Sequence, residues 1–401
     1  VVGALAWGRR AGHEHIITFD MGGTSTDVSL CPGGPLHTRE LDIGGQPIAV
    51  PVIDIHTVGA GGGSLARVDP GGALRVGPRS AGADPGPICY AKGGEGVTVT
   101  DAHVWLGRLP VDAFLGGGST LDRAAIEPHL RSLAEGLGAT LESAAEGILA
   151  VAASAMERAL RVISVERGHD PADFTLVAFG GAGGLHVADL TERLGAPRAI
   201  VPPLPGLLSA YGMLAADLTR EASRSILLST ASSGTEERIR EAFTELERTV
   251  VDAMSEEGVR REDITVVRQV DARYEGQSFE LRVPEKEWQA TFHDLHDERY
   301  GYRRLDTPVE AVTIRAIASA PGQKLELERL PPATAPPETS ATRLFSGGEW
   351  VEISRVWRED LAPGHELEGP LLVLEYSSTT WIPHGWRLTL DDWGNLHLAQ
   401  K

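Results

Sequence analysis

A mixed α/β fold with a parallel core is predicted for this 401-residue chain by three features of its sequence. The first 118 residues hold 25 of the 47 glycines, gathered in clusters between short apolar runs, which is the texture of hairpins and backbone-lined loops. Two long periodic helices follow, and then an apolar run, a glycine turn, a helix and a second apolar run, the order of a parallel strand-helix-strand unit. From residue 219 strands and helices alternate again, and the chain ends in short apolar runs separated by Gly and Pro.

Taken in order, residues 15–20 and 28–31 read as short strands, Pro32 to Gly34 as a turn, and 50–58 as another strand. Ala66–Val68 and Leu74–Val76 flank Asp69-Pro70-Gly71-Gly72 as a hairpin. Residues 121–136 and 140–168 are helical, the second on the recurrence of Ile148, Ala152, Ala155, Ala159 and Val162, with Gly168 as its stop. Phe174 to Phe179 reads as a buried strand, Leu185 to Leu194 as a helix and Ala199 to Val201 as a strand. Helices over 236–257 and 285–300 and strands over 266–272, 279–283 and 309–318 make up the next third. Leu330 to Pro337 is a Pro-rich linker. The expected organisation is 1–220, 221–330 and a small β-rich C-terminal module over 331–401, in keeping with roughly 150 residues per domain.

Composition excludes several classes. With 37 Lys and Arg against 56 Asp and Glu, the net charge of −19 repels a phosphate backbone, so neither nucleic acid nor an anionic membrane is an expected partner. No run of roughly 18 apolar residues marks a transmembrane helix, and the short apolar opening lacks a signal-peptide pattern. Cys31 and Cys89 are the only cysteines, which fits a reducing cytoplasm. The absent initiator Met and the abrupt apolar start suggest an excised or incomplete chain. Walker A, H-E-x-x-H and G-x-S-x-G motifs are missing.

The sharpest local feature is Asp20-Met21-Gly22-Gly23-Thr24-Ser25-Thr26-Asp27, two acids enclosing a Gly-Gly turn and three hydroxyls. Glycine lets backbone N–H groups reach phosphate oxygens, hydroxyls add donors, and carboxylates can hold Mg²⁺ or its water ligands. A plain hairpin whose side chains cap its own turn is the competing account. Gly180-Gly181-Ala182-Gly183-Gly184, between a strand and a helix, suits an anion or nucleotide at the helix start, and equally a tight crossover. Asp54 and His56 share one face of a strand by alternation, as do Asp101 and His103; a metal site and hydrogen-bonded structural residues both explain the spacing, the second more readily.

Together these segments resemble the ATP-dependent hydantoinase A and 5-oxoprolinase family, which also includes subunits of acetone and acetophenone carboxylases. The resemblance spans nearly the whole chain, through 20–27, 54–64, Ser80 to Pro87, Thr98 to Ala102, 180–184, Arg273-Tyr274-Glu275-Gly276-Gln277, Tyr300-Gly301-Tyr302, Ser377-Ser378-Thr379-Thr380 and Gly394-Asn395-Leu396. His103 stands where a small polar residue is expected. The resemblance implies an actin, Hsp70 and sugar-kinase type ATPase core of ribonuclease H-like topology. Within it, Gly22, Gly23, Thr24, Ser25 and Thr26 would form a phosphate-binding hairpin and Gly180, Gly181, Gly183 and Gly184 an adenosine-side loop.

It further implies Asp20 and Asp27 as catalytic carboxylates and ATP with Mg²⁺ as cofactors. Asp20, Asp54 and His56 become metal ligands, with room for a second divalent ion. The activity implied is phosphorylation of a cyclic amide oxygen followed by ring opening, with a ketone carboxylase subunit or a non-catalytic nucleotide-binding module as alternatives. A hydantoinase B-type partner subunit or domain is implied as well. Since D-x-G-G-T-x-T-D occurs once here, the 401 residues by themselves are expected to bind ATP weakly and to show no ring-opening turnover.

Overall fold

The computed structural model describes residues 1–38, 41–43, 46–48, 52–322 and 328–401, which form two compact units, Val1–Met213 with Glu326–Lys401, and Leu214–Leu325. The first is built on an eight-stranded sheet whose centre is parallel: His15–Met21 pairs with Thr175–Phe179, which pairs with Ala199–Val201. Thr26–Pro32 and His56–Val58 extend it antiparallel on one side. Leu396–Gln400, Trp386–Leu390 and Glu366–Glu368 extend it on the other. The C-terminal segment is β-rich as expected, and three of its seven strands join the main sheet while the other four form a sheet of their own. Ala199 opposite Leu398 and Val201 opposite Leu396 carry it into the main sheet, because the short strand at 199–201 would otherwise leave its ladder groups unpaired.

Strand alternation separates two packed faces. Ile17, Phe19 and Met21 enter the main core with α4 (Leu141–Ile163), whose Ala144, Ala145, Ile148, Ala152, Ala159 and Ile163 form a small-residue buried face. Ile16 faces the other way, against Ala4, Leu5 and Trp7 of α1 (Val2–Arg10), a helix that the apolar opening had not suggested. Both periodic helices occur where expected, α3 (Arg123–Leu137) starting at the Asp122 cap and α4 at the Thr140 cap. A second sheet, Ser340–Ser346, Glu349–Trp357, Leu371–Glu375 and Ser378–Ile382, completes this unit.

Two expectations are corrected. The strand over 50–58 includes residues 50 and 51, outside the described residues; the remainder is two short strands, Val52–Ile53 and His56–Val58, with Asp54 in the break between them. Asp101 and His103 lie on a helix, α2 (Val99–Trp105), where a two-residue step turns the side chain by about 200° and puts the pair on different faces. The Thr98 and Asp101 capping box overrides the β-branched character of Val99 and Thr100.

The second unit is an antiparallel sheet, Leu218–Ser229, Val309–Ala320, Thr265–Tyr274 and Leu281–Pro284 in that order. Phe243 from α7 (Thr235–Glu256) and Trp288 and Phe292 from α8 (Trp288–Tyr300) fill its core with Tyr274. The motifs at 273–277 and 300–302 meet here: His296 is fully buried, its Nδ1–H donates to the Tyr302 carbonyl at 2.9 Å, and its Nε2 accepts from the Gln277 amide at 2.9 Å. Their polar groups satisfy one another, so these motifs build the unit.

Candidate functional site: a glycine-lined cavity

The hairpin Asp20 to Asp27 closes tightly, with Gly22 N–H donating to Ser25 carbonyl at 3.1 Å and Asp20 directly opposite Asp27 in the antiparallel register. The two carboxylates therefore share a sheet face, the one opposite Phe19 and Met21. Ser209 of α6 (Leu208–Ala215) donates to Asp20 Oδ2 at 3.2 Å, and Thr57 donates to Asp27 Oδ1 at 2.6 Å. Burial pushes the Asp20 carboxyl up, the Ser209 hydroxyl opposes this, and the facing Asp27 adds to it. Because folding disfavours ionised Asp20, its cost is present above the raised folded pKa and is relieved as pH falls through it. Asp20→Asn is thus expected to raise the melting temperature near neutrality and to lose that advantage below the usual Asp range. Calorimetry at both pH values checks this; an unchanged or lower neutral-pH midpoint contradicts it.

Two loops converge on the hairpin. Gly62 N–H donates to Gly22 carbonyl at 3.0 Å and Gly63 N–H to Gly23 carbonyl at 2.6 Å, while Thr100 hydroxyl and N–H both bond the Gly62 carbonyl. From the other side, Ala182 N–H donates to Met21 carbonyl at 3.1 Å. The Gly180-to-Gly184 turn then opens α5 (Gly183–Leu194), whose N-terminus carries the positive end of the helix dipole.

Between these loops lies a cavity of about 260 Å³ lined by Gly22, Gly23, Gly62, Gly181 and Ala182, by Thr100 and His103 of α2, by Tyr90, Phe114 and Leu185, and by Tyr376, Ser377, Ser378 and Thr379. Of the residues expected to bind cofactor, Gly22, Gly23 and Gly181 line it. A methyl at Gly23 would meet nothing within 4 Å among the described residues, so the fold does not require this glycine and its bare backbone borders open space. Thr24 and Ser25 sit on the outer turn, exposed and half-buried. Thr26 is placed differently from expectation: it is fully buried, and its hydroxyl donates to the Ala60 carbonyl at 2.5 Å, fastening hairpin to loop. Gly180 and Gly184 serve close approach, whereas a Cβ at Gly183 would make only ordinary contact, 3.7 Å from Ala178. Gly184 allows α5 to meet Thr379 and Thr380, where a Cβ would lie 2.6 Å from the Thr380 hydroxyl.

The expected metal ligands are not gathered. Among the described residues no group of three or more His, Cys, Asp or Glu side chains could hold a metal ion, and the Asp54 carboxylate is engaged by the Arg167 guanidinium. Asp101 is structural, fully buried and accepting from Ile88, Cys89 and Thr98 N–H groups and the Thr98 hydroxyl.

Three residues that line the cavity each carry a buried polar atom with no hydrogen-bond partner among the described residues: Ser377 Oγ, Ser378 Oγ and His103 Nδ1. A buried polar atom without a partner is costly, and a ligand group in the cavity would supply one. These residues were not among the expected site. Ser377 to Thr380 carries the same signal as Thr24 to Thr26, consecutive hydroxyls at the end of a strand, and that signal could have pointed to it. Among the described residues no helix is long and apolar enough to cross a membrane.

The arrangement is a backbone-lined cavity at the carboxyl ends of parallel strands and the start of a helix, where α/β sheets usually place an anion. Family models place this architecture: residues 1–222 match hydantoinase/oxoprolinase and residues 229–401 match the hydantoinase/oxoprolinase C-terminal domain, so the chain belongs to that family. It is 39% identical over 411 residues to an uncharacterised protein of Methanocaldococcus jannaschii, covering 96% of this chain and 58% of that one. With the caprolactamase subunit alpha of Pseudomonas jessenii the identity is 33% over 402 residues, covering 95% of this chain and 57% of the relative. The nucleotide-free structure of acetone carboxylase, from work on ATP-dependent acetone carboxylation, superposes with a TM-score of 0.89 at 27% identity over all of this chain and 60% of that one. The chain thus spans somewhat under three fifths of the length of the two sequence relatives.

Proposed function

We propose that this chain is the nucleotide-binding part of an ATP-dependent enzyme that opens a cyclic amide, acting with a hydantoinase B-type partner, on an ATPase core of the actin, Hsp70 and sugar-kinase type. The observation that carries the reading is the cavity where the Gly22-Gly23 turn, the Gly181-Ala182 helix start and the unpartnered Ser377 and Ser378 hydroxyls converge. These residues fit a phosphate-bearing ligand: the Gly23 backbone borders open space, the Ser377 and Ser378 hydroxyls lack partners among the described residues, and a helix N-terminus adds positive potential.

ATP, when bound, supplies the phosphoryl group that turns an amide oxygen into a leaving group. The chain's own residues hold and orient the phosphates through the backbone N–H groups of Gly23 and Gly181 and through the Thr24, Ser377 and Ser378 hydroxyls. Asp20 and Asp27, side by side on one face, would hold Mg²⁺, a role that two carboxylates can fill without the three-ligand cluster a tightly caged ion needs. Phe114 and Leu185 line the cavity and exclude water from its wall.

A charge-assisted hydrogen bond contributes about 1.5 to 3 kcal/mol, so Thr24→Ala is expected to weaken Mg-ATP binding about tenfold or more. Asp20→Ala is expected to weaken it as well. Titration calorimetry giving equal affinities for both variants and the unmutated protein would remove the phosphate-hairpin assignment. The likeness to acetone carboxylase favours a second reading, a subunit of a ketone carboxylase. ATP turnover with the partner, screened against 5-oxoproline, hydantoin, ε-caprolactam and acetone with bicarbonate, separates the two.

A further inference from the structure

One feature of the cavity is unused by phosphate binding. His103 of α2 and His186 of α5 are 1% and 3% exposed, and their Nε2 atoms lie 3.0 Å apart. Only one hydrogen can sit between two Nε2 atoms, so one ring donates and the other accepts. His103 lines the cavity with Nδ1 lacking a partner among the described residues.

We propose that His103 is a ligand-contacting residue of this cavity, offering Nδ1 to the polar edge of a flat, uncharged nitrogen heterocycle, with His186 as the positioning residue that sets its tautomer. The inference rests on the reading of this cavity as the ligand site and adds the chemistry of its second half.

Three observations determine the class of ligand. First, the ring pair is held uncharged: burial pushes His186 down to about 3, with the Arg108 guanidinium adding, and burial, His186 and Arg108 together hold His103 well below the usual imidazole range. A neutral imidazole brings no positive charge to pair with a phosphate, and in its acceptor form Nδ1 repels phosphate oxygens. Second, the neighbouring walls are flat and apolar, with Tyr90 and Phe114 rings 5.3 Å apart beside Leu185. Third, Nδ1 can play either part. When His103 Nε2 holds the shared hydrogen, Nδ1 is an acceptor; when His186 Nε2 holds it, Nδ1–H is a donor. A lactam or imide presents N–H and C=O side by side, and the edge of adenine likewise presents an amino N–H beside a ring-nitrogen acceptor. Either partner can be met when both rings change tautomer together: the shared hydrogen passes from one Nε2 to the other, His103 Nδ1 gains a proton as His186 Nδ1 gives one up, or the reverse, and both rings stay neutral.

The test uses the full 401-residue chain labelled with ¹⁵N-histidine and three probes: ε-caprolactam, hydantoin and ADP. At saturation one class of probe is expected to shift the His103 ring nitrogens. His103→Ala is expected to weaken that probe about tenfold or more, and His103→Asn, which keeps a donor and an acceptor, to recover most of the loss. His186→Leu is expected to change the His103 tautomer signature before any ligand is added and to weaken the same probe. A response to the ring amides alone identifies the heterocycle as a cyclic amide; a response to ADP identifies it as the base. Ring nitrogens that stay fixed with every probe, or His103→Ala and His103→Asn proteins binding all probes as the unmutated chain does, overturn the inference. A Thr24→Ala protein with unchanged ATP affinity overturns the phosphate assignment and leaves this result standing, so the two failures are distinguishable. Should His103→Ala not fold, His103→Asn and the unmutated protein's spectra decide the matter.

Discussion

Asp101→Ala is expected to destabilise the first unit by about 3 to 5 kcal/mol, the largest effect of any single side-chain truncation near the site. The carboxylate is fully buried and accepts four hydrogen bonds: Cys89 N–H at 2.8 Å, Thr98 N–H at 2.9 Å, Ile88 N–H at 3.2 Å and the Thr98 hydroxyl at 2.7 Å. Truncation leaves all four donors without an acceptor, and each carries its desolvation cost. Part of this loss is the capping box of α2, whose first turn also carries Thr100 against the Gly62 carbonyl. Denaturant unfolding followed by tryptophan fluorescence reports on this unit, since seven of the eight tryptophans lie in it. A loss under about 1 kcal/mol would show that the carboxylate's partners find others, contrary to the burial and bond pattern.

That same residue marks the limit of what the sequence discloses. Asp101 and His103 look like a strand pair because Val99, Thr100 and Val104 favour strands, and only Thr98 three residues ahead of Asp101 signals the helix start. Long amphipathic helices announce themselves by period, and α4 and α7 lie within a few residues of where periodicity puts them. Pairing between distant segments has no such local signature. Nothing in Leu396 to Gln400 says that it will lie beside Ala199 to Val201, or that Ser377 and Ser378 will reach the cavity edge opposite Gly22.

The candidate site divides along the same line. Gly22, Gly23 and Gly181 are legible because glycine clusters at strand ends have few uses. The burial of Thr26, the Arg167 partner of Asp54 and the meeting of His103 with His186 each depend on a second segment 34, 113 or 83 residues away. Residue type gives the chemistry available; the contact made across the fold decides which of it is already spent.

Glycine itself shows this most sharply, and leads to the second large effect. Gly180 and Gly23 belong to the two glycine-rich turns, but the structure needs them for opposite reasons. Gly180 has φ +79°, and a Cβ there would stand 2.4 Å from the Met21 carbonyl oxygen and 2.5 Å from Asp20 Oδ1. Gly180→Ala combines left-handed strain of about 1 to 2 kcal/mol with overpacking of about 1 to 3 kcal/mol, so it is expected to cost about 2 to 5 kcal/mol of stability. Gly23 lies outside the left-handed region and its Cβ would meet nothing within 4 Å among the described residues. Gly23→Ala is therefore expected to leave stability unchanged or to raise it by about 0.4 to 1 kcal/mol, through the smaller entropy of the unfolded chain. A methyl there projects beside the backbone that approaches the phosphates, and nucleotide affinity is expected to fall about a hundredfold, equivalent to about 2.7 kcal/mol. Melting temperature and calorimetric affinity, measured on both variants, should move in this crossed fashion. A Gly23→Ala protein that binds nucleotide as tightly as the unmutated chain would show that the open space beside Gly23 is not where the phosphates lie.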